Sequence, residues 1–213
     1  MAAVTLDPLD FAALVTSRVC HDVIGPVGAM VNGLEVLEED KDGAMQEFAL
    51  DLIRKSARQA SARLQFARLA FGAAGSAGAA IDLADAEAVA QGLFLDEKVS
   101  VTWSAPRALL PKNRVKLLLN LVVLAAAAVP RGGNVHVEVS GEDDQSVFVL
   151  TSKGPHARIP NHAEQLLAGE PEDGIVTAHG IQPYYTGEVA RSAGMKVTMS
   201  LEEDTVTIRG ENA

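Results

Sequence analysis

The chain has 213 residues, of which 48% are hydrophobic and 22% charged, with a formal net charge of −10; this excludes disorder throughout and supplies enough apolar side chain for a sizeable core. The acidic balance and the lack of any Lys/Arg run argue against nucleic-acid binding through phosphate neutralisation. One cysteine, Cys20, allows no internal disulfide and no multi-cysteine metal site, which suits a reducing cytoplasm, and neither a signal peptide nor an apolar run of the roughly 20 residues a membrane span needs is visible.

Between Asp10 and about Glu39 the chain keeps a helical period. Val15, Val19, Val23, Pro26, Met30, Leu34 and Leu37 recur at spacings of three and four and share one face. The acidic segment from Glu38 to Gly43 breaks that pattern as a short turn. A second helix is predicted from about Ala44 to Phe71, with Phe48, Leu52, Ala60, Leu64, Ala67 and Phe71 on its apolar face; Arg54, Lys55, Arg58, Arg63 and Arg68 lie elsewhere around it, as a solvated basic face or one that pairs with acidic partners. Two such helices make an antiparallel hairpin about 40 Å long. Neither can bury its apolar face fully within one hairpin, so a pair of hairpins in a homodimeric four-helix bundle is expected.

The small, charge-free segment at 74–80 reads as a linker, separating a hairpin domain over 1–73 from a mixed domain over 81–213. In the latter, a helix is predicted from Asp82 to about Phe94, a strand from Lys98 to Trp103, and an apolar helix from Asn113 to Val129. Strands at Asn134 to Ser140 and Gln145 to Thr151 form a hairpin, and after a Pro- and Gly-rich stretch come a helix from Gln182 to Ala193 and strands at Lys196 to Leu201 and Thr205 to Arg209. The fold class is therefore α+β: a helical hairpin followed by an α/β sandwich with helices on one face of a mixed sheet.

His21 stands out among the five histidines. Asp22 follows it, and Pro26 sits inside the same helix at a cost of about 3 kcal/mol, because proline removes a backbone hydrogen bond and bends the axis. Opposite the apolar stripe, Ser17, His21, Gly25, Gly28, Asn32 and Glu35 lie at helical spacing. This face is small and polar around one imidazole, and its glycines would let another protein's backbone come close. Cys20 adjoins His21 in sequence but lies about 100° around the helix, which disfavours a Cys-His pair. The other histidines have no ligand spacing, so no metal site is expected.

The string His21-Asp22-Val23-Ile24-Gly25-Pro26 resembles the phosphoacceptor box of sensor histidine kinases, in which a histidine, an acidic residue and a proline five positions on lie in the first helix of a dimeric hairpin. With Val27-Gly28-Ala29 and Asn32-Gly33-Leu34-Glu35, the chain is most similar to the ChpT-type histidine phosphotransferases of alphaproteobacterial phosphorelays, over nearly its whole length. The resemblance implies that the second domain is a histidine-kinase-ATPase-like sandwich with degenerate nucleotide boxes. Where the family of kinases has a magnesium-binding asparagine, this chain has Leu124, which offers no oxygen ligand. Ser152-Lys153-Gly154-Pro155-His156 lacks the carboxylate and second glycine of the adenine box, and Gln182-Pro183-Tyr184-Tyr185-Thr186-Gly187 replaces the glycine-rich phosphate loop. No ATP and no resident metal are therefore expected, the magnesium being supplied by the partner.

By the same resemblance, His21 is the phosphoryl carrier, and Asp22 beside it is an orienting group or base. Ser17, Arg18, Gly25, Pro26, Gly28 and Asn32 are the expected receiver contacts. The implied partners are a second copy of the chain, the receiver domain of a CckA-like hybrid kinase, and CtrA-like and CpdR-like response regulators controlling the cell cycle, with no nucleic acid and no membrane. The rival readings are a dimeric scaffold that binds receivers without transfer, and an active ATP-dependent kinase.

Overall fold

The structure, a computed structural model, describes residues 3–72, 80–95, 97–141 and 143–213. Helix α1 (Pro8–Glu39) starts where Asp7 caps it by accepting from the Leu9 amide, with Pro8 at the first helical position. Helix α2 (Gln46–Ala70) returns antiparallel beside it. Between them Gly33 is buried, and a Cβ there would lie 2.7 Å from Ile53 Cγ1 and 3.3 Å from the Ala49 carbonyl, so the two helices approach at a distance only glycine allows. The seam is filled by Pro26 and Gly33 from α1 and by Ala49, Ser56 and Ala60 from α2.

Not all of the expected apolar stripe turns inward. Leu34 on α1 and Phe48 and Leu64 on α2 are exposed, because the small-residue seam brings the helices together along a different line. Ile24, Val27, Val31 and Leu34, spaced three and four apart, form an uncovered apolar strip on α1.

Of the linker expected at 74–80, residues 74–79 lie outside the described residues, and Ala80 already belongs to β1 (Ala80–Asp82). The chain continues through α3 (Leu83–Leu93), β2 (Val99–Ser104), β3 (Leu109–Pro111), α4 (Lys112–Ala127), β4 (Gly133–Ser140) and β5 (Val147–Lys153). Next come α5 (Ala163–Ala168), α6 (Ile181–Ser192), β6 (Met195–Glu202) and β7 (Thr205–Asn212). The main sheet has the order β2-β4-β5-β7-β6, with β2 parallel to β4 and the remaining neighbours antiparallel, which makes it mixed as expected. The two-stranded pair β1-β3 and the short helix α5 are additions to the predicted order.

Along β4, β5 and β7 burial alternates, and Val135, Val137, Val139, Phe148, Leu150, Val206 and Ile208 face the helical layer. Helix α4 is apolar nearly all round because it has the sheet on one side and α2, α3 and α6 on the others. The same core takes in Phe66, Leu69 and Ala70, so the last turns of α2 and the sheet domain share one hydrophobic cluster. Among the described residues, no helix is long and apolar enough to cross a membrane.

Candidate functional site

His21 projects from the middle of α1 with its side chain 84% exposed. Its Nδ1 lies 3.7 Å from Asp22 Oδ1. The other carboxylate oxygen, Asp22 Oδ2, accepts a hydrogen bond from Arg18 Nε at 3.0 Å, one turn earlier on the same helix. Asp22 is thus fixed from behind by Arg18 and presents its free oxygen to the imidazole.

Ser17, Gly25, Gly28 and Asn32 are exposed and, at 100° per residue, fall on the same side of α1 as His21. Among the described residues, a Cβ built at Gly25 or Gly28 meets nothing within 4 Å, so these glycines serve no packing there. They leave a shallow backbone track beside the imidazole. Two expected contacts stand apart. Arg18 is half-buried and occupied with Asp22, and Pro26 is buried in the seam with α2, where it offers no surface to another protein. Pro26 acts instead on the backbone. A proline has no N–H for the carbonyl four residues earlier, which here belongs to Asp22. Arg63 Nη1, from α2, donates to that carbonyl at 2.6 Å. Arg63 is therefore turned inward, in contrast to its expected place on a solvated basic face.

Below this array a cavity of about 410 Å³ opens between the hairpin and the sheet domain, lined by Arg18, Asp22, Arg63, Phe66, Phe94 and Gln182 among others.

The segments corresponding to nucleotide boxes serve the junction between hairpin and sheet domain. Asn120 is fully buried; its Nδ2 donates to the Ala70 carbonyl at 3.1 Å and to Lys116 O at 2.8 Å, and its Oδ1 accepts from Gln182 Nε2 at 2.7 Å. Tyr185 Oη donates to the same Ala70 carbonyl at 3.2 Å, and its ring is flanked by Phe11 of α1 and Phe71 at the end of α2. Burial pushes the Tyr185 hydroxyl up to about 12. Tyr184 Oη donates to Val4 O at 2.8 Å, which ties the arm before α1 to α6; its hydroxyl is likewise raised, chiefly by burial. Leu124 lies in the core, and Ser152 Oγ donates to Ala125 O at 2.8 Å. At Gly187 a Cβ would collide with the Leu167 carbonyl, so this glycine seats α6 against α5. Leu124 is an apolar core side chain, and residues 181–192 form a helix with Tyr184 and Tyr185 buried in it.

Sequence reasoning missed the roles of Arg63, Gln182 and the arm at Val4. For Arg63 a signal existed. A proline inside a helix always strands the carbonyl four residues back, and a cation on the facing helix is a natural partner for it.

The family model "Histidine phosphotransferase C-terminal domain" matches residues 83–205. "Protein phosphotransferase ChpT" from Brucella abortus (strain 2308) is 50% identical over 208 residues, covering 98% of each chain. A solved bacterial phosphotransferase superposes with a TM-score of 0.90 at 47% identity, covering 99% of this chain and 100% of that one. The catalytic domain of histidine kinase ThkA superposes more loosely, with a TM-score of 0.48 at 17% identity over 63% of this chain and 94% of that domain.

Proposed function

The chain belongs to the histidine phosphotransferase family, and from that premise we propose that it relays a phosphoryl group between receiver domains through His21 in a multistep phosphorelay. The observation that carries this reading is the arrangement at His21: an imidazole exposed on a small-residue face, with one ring nitrogen turned to a carboxylate that Arg18 holds in place.

The chemistry follows from that geometry. Asp22 Oδ1 lies 3.7 Å from Nδ1, and closing that gap to hydrogen-bond distance places the ring proton on Nδ1 and leaves the Nε2 lone pair for attack. A receiver docked along Gly25 and Gly28 brings its aspartyl phosphate to Nε2. An N–P bond forms as the P–O bond to the receiver's aspartate breaks, and that aspartate departs as a carboxylate. The imidazolium so formed is stabilised by Asp22, and reversal returns the phosphoryl group to an acceptor receiver. Charge neutralisation on the phosphoryl oxygens comes from the receiver's own magnesium ion, so this chain need only present the nucleophile.

The buried Leu124, Ser152, Tyr184 and Tyr185 support transfer without ATP. The uncovered strip of Ile24, Val27, Val31 and Leu34, with Phe48, supports a homodimer in which two hairpins make a four-helix bundle. The protein is cytoplasmic, its donor is the receiver of a CckA-like hybrid kinase, and its acceptors are CtrA-like and CpdR-like regulators of the cell cycle.

The test is a transfer assay with a receiver carrying radiolabelled aspartyl phosphate. Acid-labile, base-stable label is expected on the wild-type chain and none on His21→Ala. Equal labelling of His21→Ala, or a wild type left unlabelled by receivers that bind it, would overturn the carrier role; the second result replaces it with a scaffold.

A further inference from the structure

In an α-helix each carbonyl accepts from the amide four residues on. Pro26 interrupts that ladder at the carbonyl of Asp22, the residue directly after the phosphoacceptor. Arg63 Nη1 occupies the vacancy at 2.6 Å, and Nη2 of the same guanidinium lies 3.5 Å from Glu97 Oε1, in the segment just before β2. A planar fork of donors suits this task because two acceptors can be held in one fixed relation. Asp22 is consequently gripped twice, at its carboxylate by Arg18 and at its carbonyl by Arg63.

We infer that Arg63 is a positioning residue for phosphotransfer: it holds the Asp22 carbonyl that Pro26 leaves without an amide, next to His21, and through Glu97 it ties that turn of α1 to the sheet domain. The inference rests on the carrier role of His21. Its physical content is that the α/β domain, without touching the imidazole, sets the direction in which the imidazole points. The segment carrying Glu97 lies between α3 and β2, so a movement of that segment is transmitted to the phosphoacceptor through one guanidinium.

The test uses the full chain and a phosphorylated receiver, measuring single-turnover transfer against receiver concentration for wild type, Arg63→Met and Arg63→Lys. Displacement of a reacting group by an ångström costs up to about 100-fold in rate, so Arg63→Met is expected to lower the rate at saturating receiver by about 10- to 100-fold, with the half-saturating concentration changed less than about twofold. Arg63→Lys restores part of the rate, since an ammonium reaches the carbonyl but lacks the fork.

The discriminating background is Pro26→Ala, in which residue 26 regains an amide for the Asp22 carbonyl. There Arg63→Met is expected to cost no more than about threefold, because the carbonyl no longer depends on it. An arginine that merely stabilised the hairpin would lose as much in one background as in the other, and that result overturns the inference. So does an Arg63→Met variant that transfers at the wild-type rate beside a normally labelled wild type. A wild type that takes no label at all fails the carrier reading itself, which separates the two failures.

Discussion

Truncating Asn120 to alanine tests the joint between the hairpin and the sheet domain. Its side chain makes hydrogen bonds of 3.1, 2.8 and 2.7 Å to Ala70 O, Lys116 O and Gln182 Nε2. After truncation Lys116 O keeps its helical bond and Ala70 O keeps the Tyr185 hydroxyl at 3.2 Å. The Gln182 amide fares worse. Its Oε1 is already buried without a hydrogen-bond partner among the described residues, and it now loses the partner of its Nε2 as well. At about 1 kcal/mol for each of the first two bonds and about 1 to 3 kcal/mol for the stranded amide, Asn120→Ala should lose about 3 to 5 kcal/mol. Urea unfolding, with slopes compared against wild type, measures it. The double variant Asn120→Leu with Gln182→Met removes both ends of the buried pair and should recover to within about 1.5 kcal/mol of wild type. An Asn120→Ala loss below about 1 kcal/mol, or a double variant no better than the single one, would refute the assignment of Asn120 to the joint.

Two glycines of α1 should behave oppositely. Gly28→Ala meets nothing within 4 Å, so it should leave stability unchanged or raise it by up to about 1 kcal/mol while slowing receiver transfer; Gly33→Val, whose Cβ lies 2.7 Å from Ile53 Cγ1, should destabilise by about 1 to 3 kcal/mol in the same unfolding assay. Val31→Glu, in the uncovered strip of α1, should convert a dimer to monomers in sedimentation velocity, and a sedimentation coefficient equal to wild type would show the strip to be covered by something else. The fold holds the Tyr185 proton up to about 12, whereas an unfolded chain releases it near 10. Its contribution is therefore complete below about pH 10 and is lost as pH rises through about 12, so melts between those values should fall steeply for wild type and less so for Tyr185→Phe.

What the sequence made legible was local or strongly periodic. The hairpin, the apolar α4 and the main strands follow from spacing alone, and His21 with Asp22 and Pro26 is a contiguous signal. The pair β1-β3 and the helix α5 have three, three and six residues, too few for a period to show. Periodicity also cannot tell which of two surfaces covers an apolar residue. Leu34 and Phe48 fit a buried stripe yet stay exposed, since the seam is drawn by Gly33 and Ala49, whose small size carries no amphipathic signal. Gln182 was legible only within the stretch that replaces the phosphate loop; its pairing with Asn120 joins positions 62 residues apart and depends on how α4 and α6 meet.

The arm before α1 carries a consequence for how the molecule is made. Val4 donates to the Gly169 carbonyl and accepts from Tyr184, and Leu6 donates to the same hydroxyl, across sequence separations of up to 180 residues. On the ribosome both helices of the hairpin are synthesised well before α6, so the hairpin pairs first with its arm undocked. Closure of the arm onto Tyr184 then comes late, as a long-range step whose loop entropy is met only once the sheet domain has assembled. Changes at Val4 or Leu6 should accordingly speed unfolding more than they slow folding.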